Sequence, residues 1–167
     1  MAEYDTNQDG KLDSTEISKC PPLKYAMQNS KGEIDTNGDG MLTAEEIAGR
    51  IESWLESGTI VISCEPLITL NGKPLAGALV TFEPEQFLGP GYAPSEGVTN
   101  HRGSAYVKGP DPKYPGIHLG FYRVKISKVV GGRETIPSRY NTHTELGYEA
   151  SAYRKGVGNI EFHLRGR

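Results

Sequence analysis

The stretch DTNQDGKLDSTE, Asp5–Glu16, returns later in the chain as DTNGDGMLTAEE, Asp35–Glu46. Aligned from the first Asp through the Ile that follows each Glu, the two copies share Asp, Thr, Asn, Asp, Gly, Leu, Glu and Ile at matched positions. Oxygen-bearing side chains fall at alternate places, and Gly10 and Gly40 occupy the sixth, where a backbone without a Cβ permits a sharp turn. Asn, Asp and Gly are common turn formers in their own right. Turn chemistry alone, however, does not ask for a Leu at the eighth place and a Glu at the twelfth in both copies.

That spacing resembles the EF-hand calcium loop, in duplicate. The resemblance implies a ligand set of Asp5, Asn7, Asp9, the carbonyl of Lys11, Asp13 through a water, and a bidentate Glu16. In the second loop it implies Asp35, Asn37, Asp39, the carbonyl of Met41, Thr43 through its hydroxyl or a water, and Glu46. About seven hard oxygens at roughly 2.3–2.6 Å suit calcium, whereas magnesium's smaller octahedral shell is poorly served by a bidentate Glu. Two calcium ions per chain are the expectation. Leu12 and Leu42, at the eighth place, are expected to meet in a short two-stranded bridge joining the loops and to turn into a shared core.

The flanking segments read as helices. Thr43 to Glu46 has the form of a capping box, and Ile47, Ile51, Trp54 and Leu55 follow as one apolar stripe. Pro21 and Pro22 end a short helix after Glu16 and open the next, whose stripe is Leu23, Ala26 and Met27.

The charge of the chain divides in the same way. From Met1 to Ser57 there are 12 acidic and 5 basic residues, a net of −7, while Gly58 to Arg167 has 9 acidic and 13 basic, a net of +4. An acidic first half fits cation binding, and scattered basic residues without runs do not make a nucleic-acid footprint. No stretch approaches the roughly 18 apolar residues of a membrane span. Met1 stands too close to Asp5 for an ordinary entering helix, so a further N-terminal piece, with any export signal, is expected to precede it in the natural protein. Cys20 and Cys64 lack metal-ligand spacing. Whether they pair with each other is left open by the sequence.

From Thr59 onward the period becomes that of strands. Ile60, Ile62 and Cys64 alternate along one presumed inward face; Tyr122, Val124 and Ile126 alternate with Arg123, Lys125 and Ser127; Ile160, Phe162 and Leu164 do the same. Ala78–Glu83, Gly97–Thr99, Ser104–Lys108 and Leu146–Ala150 complete about seven short strands, with turns at Asn71-Gly72, Asn100–Gly103 and Gly131-Gly132. The fold class read from this is α+β with two domains: a small helical EF-hand pair over 1–57, then an antiparallel β-sandwich of about seven strands over 58–167. ITLNGKPLAGALVTFEPE, GVTNHRGSAYV and PGIHLGFYRVKIS resemble the transthyretin-like, carboxypeptidase-regulatory-like β-sandwich modules of secreted and envelope bacterial proteins. One departure is that five residues, Ile117–Phe121, separate Pro-Gly from the Tyr. The resemblance implies an extracytoplasmic protein, secreted or envelope-anchored, with a protein or glycan at the cell surface as its partner.

Catalytic constellations are weaker. A related enzyme on the transthyretin fold hydrolyses 5-hydroxyisourate with a C-terminal Tyr-Arg-Gly-Ser; here Leu164 and Arg167 replace the Tyr and Ser, and the first strand has no His. His101, His118, His143 and His163 assemble no site by spacing. Long Pro- and Gly-rich connections between Pro84 and Gly116 carry Tyr92 and Tyr114, which with Tyr140 offer flat contacts for a sugar or a peptide. The leading reading is a non-enzymatic calcium-binding protein with a sandwich interaction module, calcium serving structure more than signalling; the alternatives are a carbohydrate-binding module or the hydrolase. The acidic half is expected to depend on calcium and the sandwich to fold without it.

Overall fold

A computed structural model describes residues 1–152 and 160–166 of the chain. Arg167, singled out above, lies outside them. The first part runs β1 (Lys11–Leu12), α1 (Ser14–Ile17), α2 (Pro21–Asn29), α3 (Lys31–Ile34), β2 (Leu42–Thr43) and α4 (Ala44–Glu56). Prolines occupy the first turn of α2, where an absent N–H forfeits no helical bond. Antiparallel β1 and β2 set Leu12 opposite Leu42, and both side chains are fully buried. The expected bridge between the loops is therefore present.

The second part contributes β3 (Val61–Ile62), β4 (Leu67–Leu70), β5 (Lys73–Pro74), β6 (Leu79–Pro84), β7 (Ser95–Val98), β8 (Ile117–His118), β9 (Gly120–Ser127), β10 (Val129–Val130), β11 (Arg133–Glu134), β12 (Gly147–Ala150) and β13 (Glu161–Leu164). A four-stranded antiparallel sheet has the order β12-β9-β6-β7, and a three-stranded sheet the order β13-β4-β5; β3 pairs with β8, and β10 with β11. Two-residue turns at Asn71-Gly72 and Gly131-Gly132 take positive φ at both positions, the requirement for closing a tight hairpin along the strands' own twist. The described residues are thus α+β, with four short α-helices and mostly antiparallel strands among them.

Several expectations are corrected. Strand β13 runs parallel to β4, with Phe162 beside Ile68, so the strands are not all antiparallel. Parallel partners need a long crossover, and here the crossover is the rest of the sheet structure between Leu70 and Glu161. Ser104–Lys108 forms isolated bridges to Leu67 and Glu96 instead of a strand, although Ala105 and Val107 are buried. Ile60 is 60% exposed because β3 begins only at Val61; Ile62 and Cys64 do turn inward. Leu55 is 74% exposed, off the buried stripe that holds Ile47 and Trp54. The five extra residues at Ile117–Phe121 have a use: Ile117 and His118 pair with β3 before the chain switches into β9.

Alternation places Tyr122, Val124 and Ile126 of β9 inside, in register with Pro84, Phe82 and Val80 of β6. Phe82 meets Phe162 of the three-stranded sheet edge-on at 6.5 Å between ring centroids. At the β12 end the four-stranded sheet is covered on its other face by helices. Trp54 of α4 lies 4.9 Å from Phe121 on that face, while Tyr25 of α2 lies 5.4 Å from Tyr148, which pairs with Tyr122 on the inner face of the edge strand. The buried apolar residues of helices and sheets form one cluster.

Gly147 makes the closest approach at this junction. A Cβ there would stand 2.1 Å from the Pro21 carbonyl carbon and 2.3 Å from Pro22 N, so only glycine lets α2 lie on β12. Replacing Gly147 by Ala should destabilise by about 1–3 kcal/mol through backbone displacement. Gly49, inside α4 with open space around it, is the control: Gly49→Ala should stabilise by roughly 0.5–1 kcal/mol. Urea midpoints of the two variants moving in opposite directions would bear this out, and a neutral Gly147→Ala would refute it.

Cys20 and Cys64 are both free and fully buried. Burial pushes each thiol up to about 12, helped at Cys20 by the charge of Glu85 and at Cys64 by that of Glu65. Alkylation of the unreduced protein should label neither in the folded state and both after unfolding, as read by mass spectrometry; an unfolded, unreduced sample that takes no label would establish a bridge instead.

Candidate metal centre

The two loops fold with one hydrogen-bond pattern. In the first, Asp5 Oδ2 accepts from Gly10 N at 3.1 Å, Asn7 Oδ1 from Asp9 N at 2.9 Å, and Asp9 Oδ1 from Lys11 N at 2.9 Å. In the second, Asp35 Oδ2 accepts from Gly40 N at 3.1 Å, Asn37 Oδ1 from Asp39 N at 2.8 Å, and Asp39 Oδ1 from Met41 N at 2.8 Å. Each side chain thereby has at least one oxygen fixed by a backbone N–H, and Asp5 has both, its Oδ1 accepting from Asp9 N at 3.2 Å. The loop glycines that allow this, Gly10 and Gly40, have φ of 84° and 82°. One position differs. At the fourth place Gln8 takes φ 59° where the second loop has Gly38 at 74°.

The twelfth-place glutamates close the loops. Glu16 Oε1 accepts from Thr6 N at 2.7 Å and Asn7 N at 3.3 Å, while its Oε2 accepts from Asp13 N at 3.1 Å. Glu46 repeats this with Thr36 N at 3.0 Å, Asn37 N at 3.4 Å and Thr43 N at 3.0 Å. Asp13 and Thr43 cap α1 and α4 in reciprocal capping boxes with those glutamates, so the ninth-place residues start the exit helices as well as standing at the loop. Burial works against ionising Glu16 and Glu46. The N–H donors of Asp13, Thr6 and Asn7 on the first, and of Thr43, Asn37 and Thr36 on the second, outweigh it and hold both carboxyls below the ordinary range. Asp39 is also lowered, by the Met41 N–H and then by Lys11, whose Nζ lies 3.3 Å from Asp39 Oδ2 and ties one loop to the other.

The fit to calcium rests on Asp35. Its side chain is buried, and its Oδ1 has no hydrogen-bond partner. A buried carboxylate oxygen left unpaired is costly, and this one stands at the first place of a loop whose other polar side chains also offer oxygens. Among the described residues no three Asp, Glu, His or Cys side chains cluster as a metal site by those groups alone. The reason lies in the donor set, which mixes carboxylates with Asn amides and backbone carbonyls and at present gives the glutamates to backbone N–H groups. Asp5, Asn7, Asp9, Lys11, Asp13 and Glu16 are brought into one loop, and Asp35, Asn37, Asp39, Met41, Thr43 and Glu46 into the other.

Sequence reasoning missed how the loops are fastened to the sheet. Tyr4, immediately ahead of Asp5, is buried and donates to Glu85 Oε2 at 2.7 Å; Arg123 Nε donates to Glu85 Oε1 at 2.8 Å and the same guanidinium bonds the Tyr4 hydroxyl. From the second loop, α4 carries Arg50, whose Nε lies 2.6 Å from Glu149 Oε1 of β12, with both side chains buried. Arg50 also donates to Ser151 Oγ at 3.2 Å, pairs with Glu33 at 2.6 Å and stands over the Trp54 ring. A charged residue in the middle of an amphipathic helix reads as surface, so the only sequence signal was its place, three residues after Ile47 on the stripe side.

The other candidates do not converge. Tyr92 stacks edge-on with His118, Tyr140 lies under Arg139, and Tyr114 is exposed in the 111–114 turn. His163 is exposed and bonded to Thr69, its cross-strand neighbour, and to Glu161.

An EF hand family model matches residues 1–21 and 32–48, the two loops with their adjoining turns. No curated protein matches the chain. The match supports calcium binding, and no helix among the described residues is long and apolar enough to cross a membrane.

Because Glu16 and Glu46 have lowered folded values, their stabilisation is complete above the ordinary glutamate value of about 4.3 and is lost as pH falls through the lowered values. In the presence of chelator, the stability gap between the unmutated protein and Glu46→Gln should therefore narrow as pH drops below about 4. A gap that stays constant down to pH about 2.5 in urea melts would show that the carboxylate charge does not matter there.

Proposed function

We propose that this is a non-enzymatic protein in which two calcium ions, one per loop, fix an EF-hand pair over 1–57 against a β-sandwich over 58–167. The observation that carries the reading is the buried, unpartnered Asp35 Oδ1 inside a loop whose bonding pattern is duplicated in Asp5–Glu16. When bound, calcium supplies positive charge that the acidic segment lacks. Binding adds about 2.7 kcal/mol per site at free ion a hundredfold above the dissociation constant.

Calcium serves structure in this reading because each loop leads straight into an anchor on the sheet. Tyr4 ties the start of the first loop to Glu85 and Arg123, and α4 ties the end of the second to Glu149 and Phe121. The packing argues against the independence expected from the sequence. Helices undocked from β12 and β9 would leave Phe121 and Glu149 open to water, so losing calcium should weaken both halves. The transthyretin-like kinship, an extracytoplasmic location and a protein or glycan partner stand as parts of the same proposal, supported by the sequence resemblance.

Calorimetric titration is expected to give two calcium sites, each weakened selectively by Glu16→Gln or Glu46→Gln. Chelator should lower the melting temperature of helical and strand signals together and change Trp54 emission. A strand transition indifferent to chelator would refute the structural coupling, and a titration without calcium heat or stoichiometry would refute calcium binding itself.

A further inference from the structure

Two apolar hollows lie end to end along the outer side of α4, sharing Ile51. The larger, about 330 Å³, lies between the helix end with Leu55 and the sheet side with Ile60, Tyr92 and His118. The smaller, about 200 Å³, is bordered by Ile47, Phe87 and Met1. The groove lies outside the core between the two calcium loops, and its two most exposed apolar side chains, Leu55 and Ile60, are the ones that fell off the buried stripes.

Its charge is one-sided. At 100° per residue, Ala44, Ile47, Ala48, Ile51 and Leu55 fall on one arc of α4, and Glu45, Glu52 and Glu56, all exposed, form a rank along its flank. Neither hollow is lined by a Lys or Arg. The indole N–H of Trp54, buried without a hydrogen-bond partner, borders the larger hollow and is a donor that a bound carbonyl would satisfy with a small shift.

We infer that this groove docks an amphipathic, basic segment of a protein partner, its apolar side chains laid along Ala48, Ile51 and Leu55 and its basic ones against Glu45, Glu52 and Glu56. An apolar trough with an acid edge fits the helix-in-groove mode of recognition. The inference does not depend on calcium.

Trp54 is the single tryptophan, so a Trp-free Leu/Lys peptide of about four helical turns can be titrated against the full chain by its emission. A saturable, salt-sensitive change is expected, absent with a Leu/Glu peptide of the same spacing. Leu55→Asp and Ile60→Asp alter exposed residues and should each weaken binding about ten-fold, despite adding negative charge; Glu52→Lys with Glu56→Lys should weaken it and flatten the salt dependence. Unchanged or tighter binding to Leu55→Asp and Ile60→Asp would mean electrostatic adhesion only and overturn the proposal, as would no response in the unmutated protein. Concentration-dependent dimerisation that Leu55→Asp abolishes would assign the groove to a second copy of the chain and also overturn it.

Discussion

Arg50 and Glu149 meet at 2.6 Å with almost no water around either. The attraction of a buried pair roughly offsets the cost of removing both charges from water, so the contact adds little net stability on its own. Its influence comes from the penalty of separation: one partner left behind costs about 3–5 kcal/mol. Any placement of α4 that does not bring Arg50 to Glu149 is thereby disfavoured. The same guanidinium reaches Glu33 of α3 and Ser151 past the end of β12 and covers the Trp54 ring. One side chain thus fixes two helices and a strand, and the exit of the second loop goes where α4 goes.

The first loop is held differently. Tyr4, Glu85 and Arg123 form a closed set in which the carboxylate takes a phenol and a guanidinium at once. Burial, then the neighbouring Cys20 and the hydrogen bond and charge of Glu85, push the Tyr4 hydroxyl far above its ordinary value, which keeps it a proton donor. The loops are joined to each other by Leu12 against Leu42 and by Lys11 with Asp39. Loop, bridge, loop and sheet therefore make a circuit of contacts.

The parts legible in the sequence were those whose chemistry is local. The duplicated bonding of the two loops, the Gly10 and Gly40 turns, the caps at Asp13 and Thr43, the Asn71-Gly72 hairpin and the alternation through β9 all follow from neighbours within a few residues. What was not legible depends on residues distant in the chain. Arg50 looks like a surface charge until Glu149 is known to lie opposite, and the parallel pairing of β13 with β4 has no trace in either strand's own pattern. Leu55 continues a periodic stripe but lies beyond what the sheet covers, so period alone overstates burial there. Gly147 carries no sequence mark of its contact with Pro21 and Pro22.

Gln8 gives the two loops unequal standing. A side-chain-bearing residue in the left-handed region costs of the order of 1 kcal/mol, a cost Gly38 avoids. Asp5 is only half-buried and has both oxygens engaged by N–H groups, whereas Asp35 is buried with one oxygen unengaged. Two loops that look alike in sequence are thus a strained one and a relaxed, under-bonded one. In the calcium reading proposed above, filling should then proceed in order, the second loop before the first, so that over some range of ion concentration the molecule carries one charge-compensated loop, the one that leads into α4.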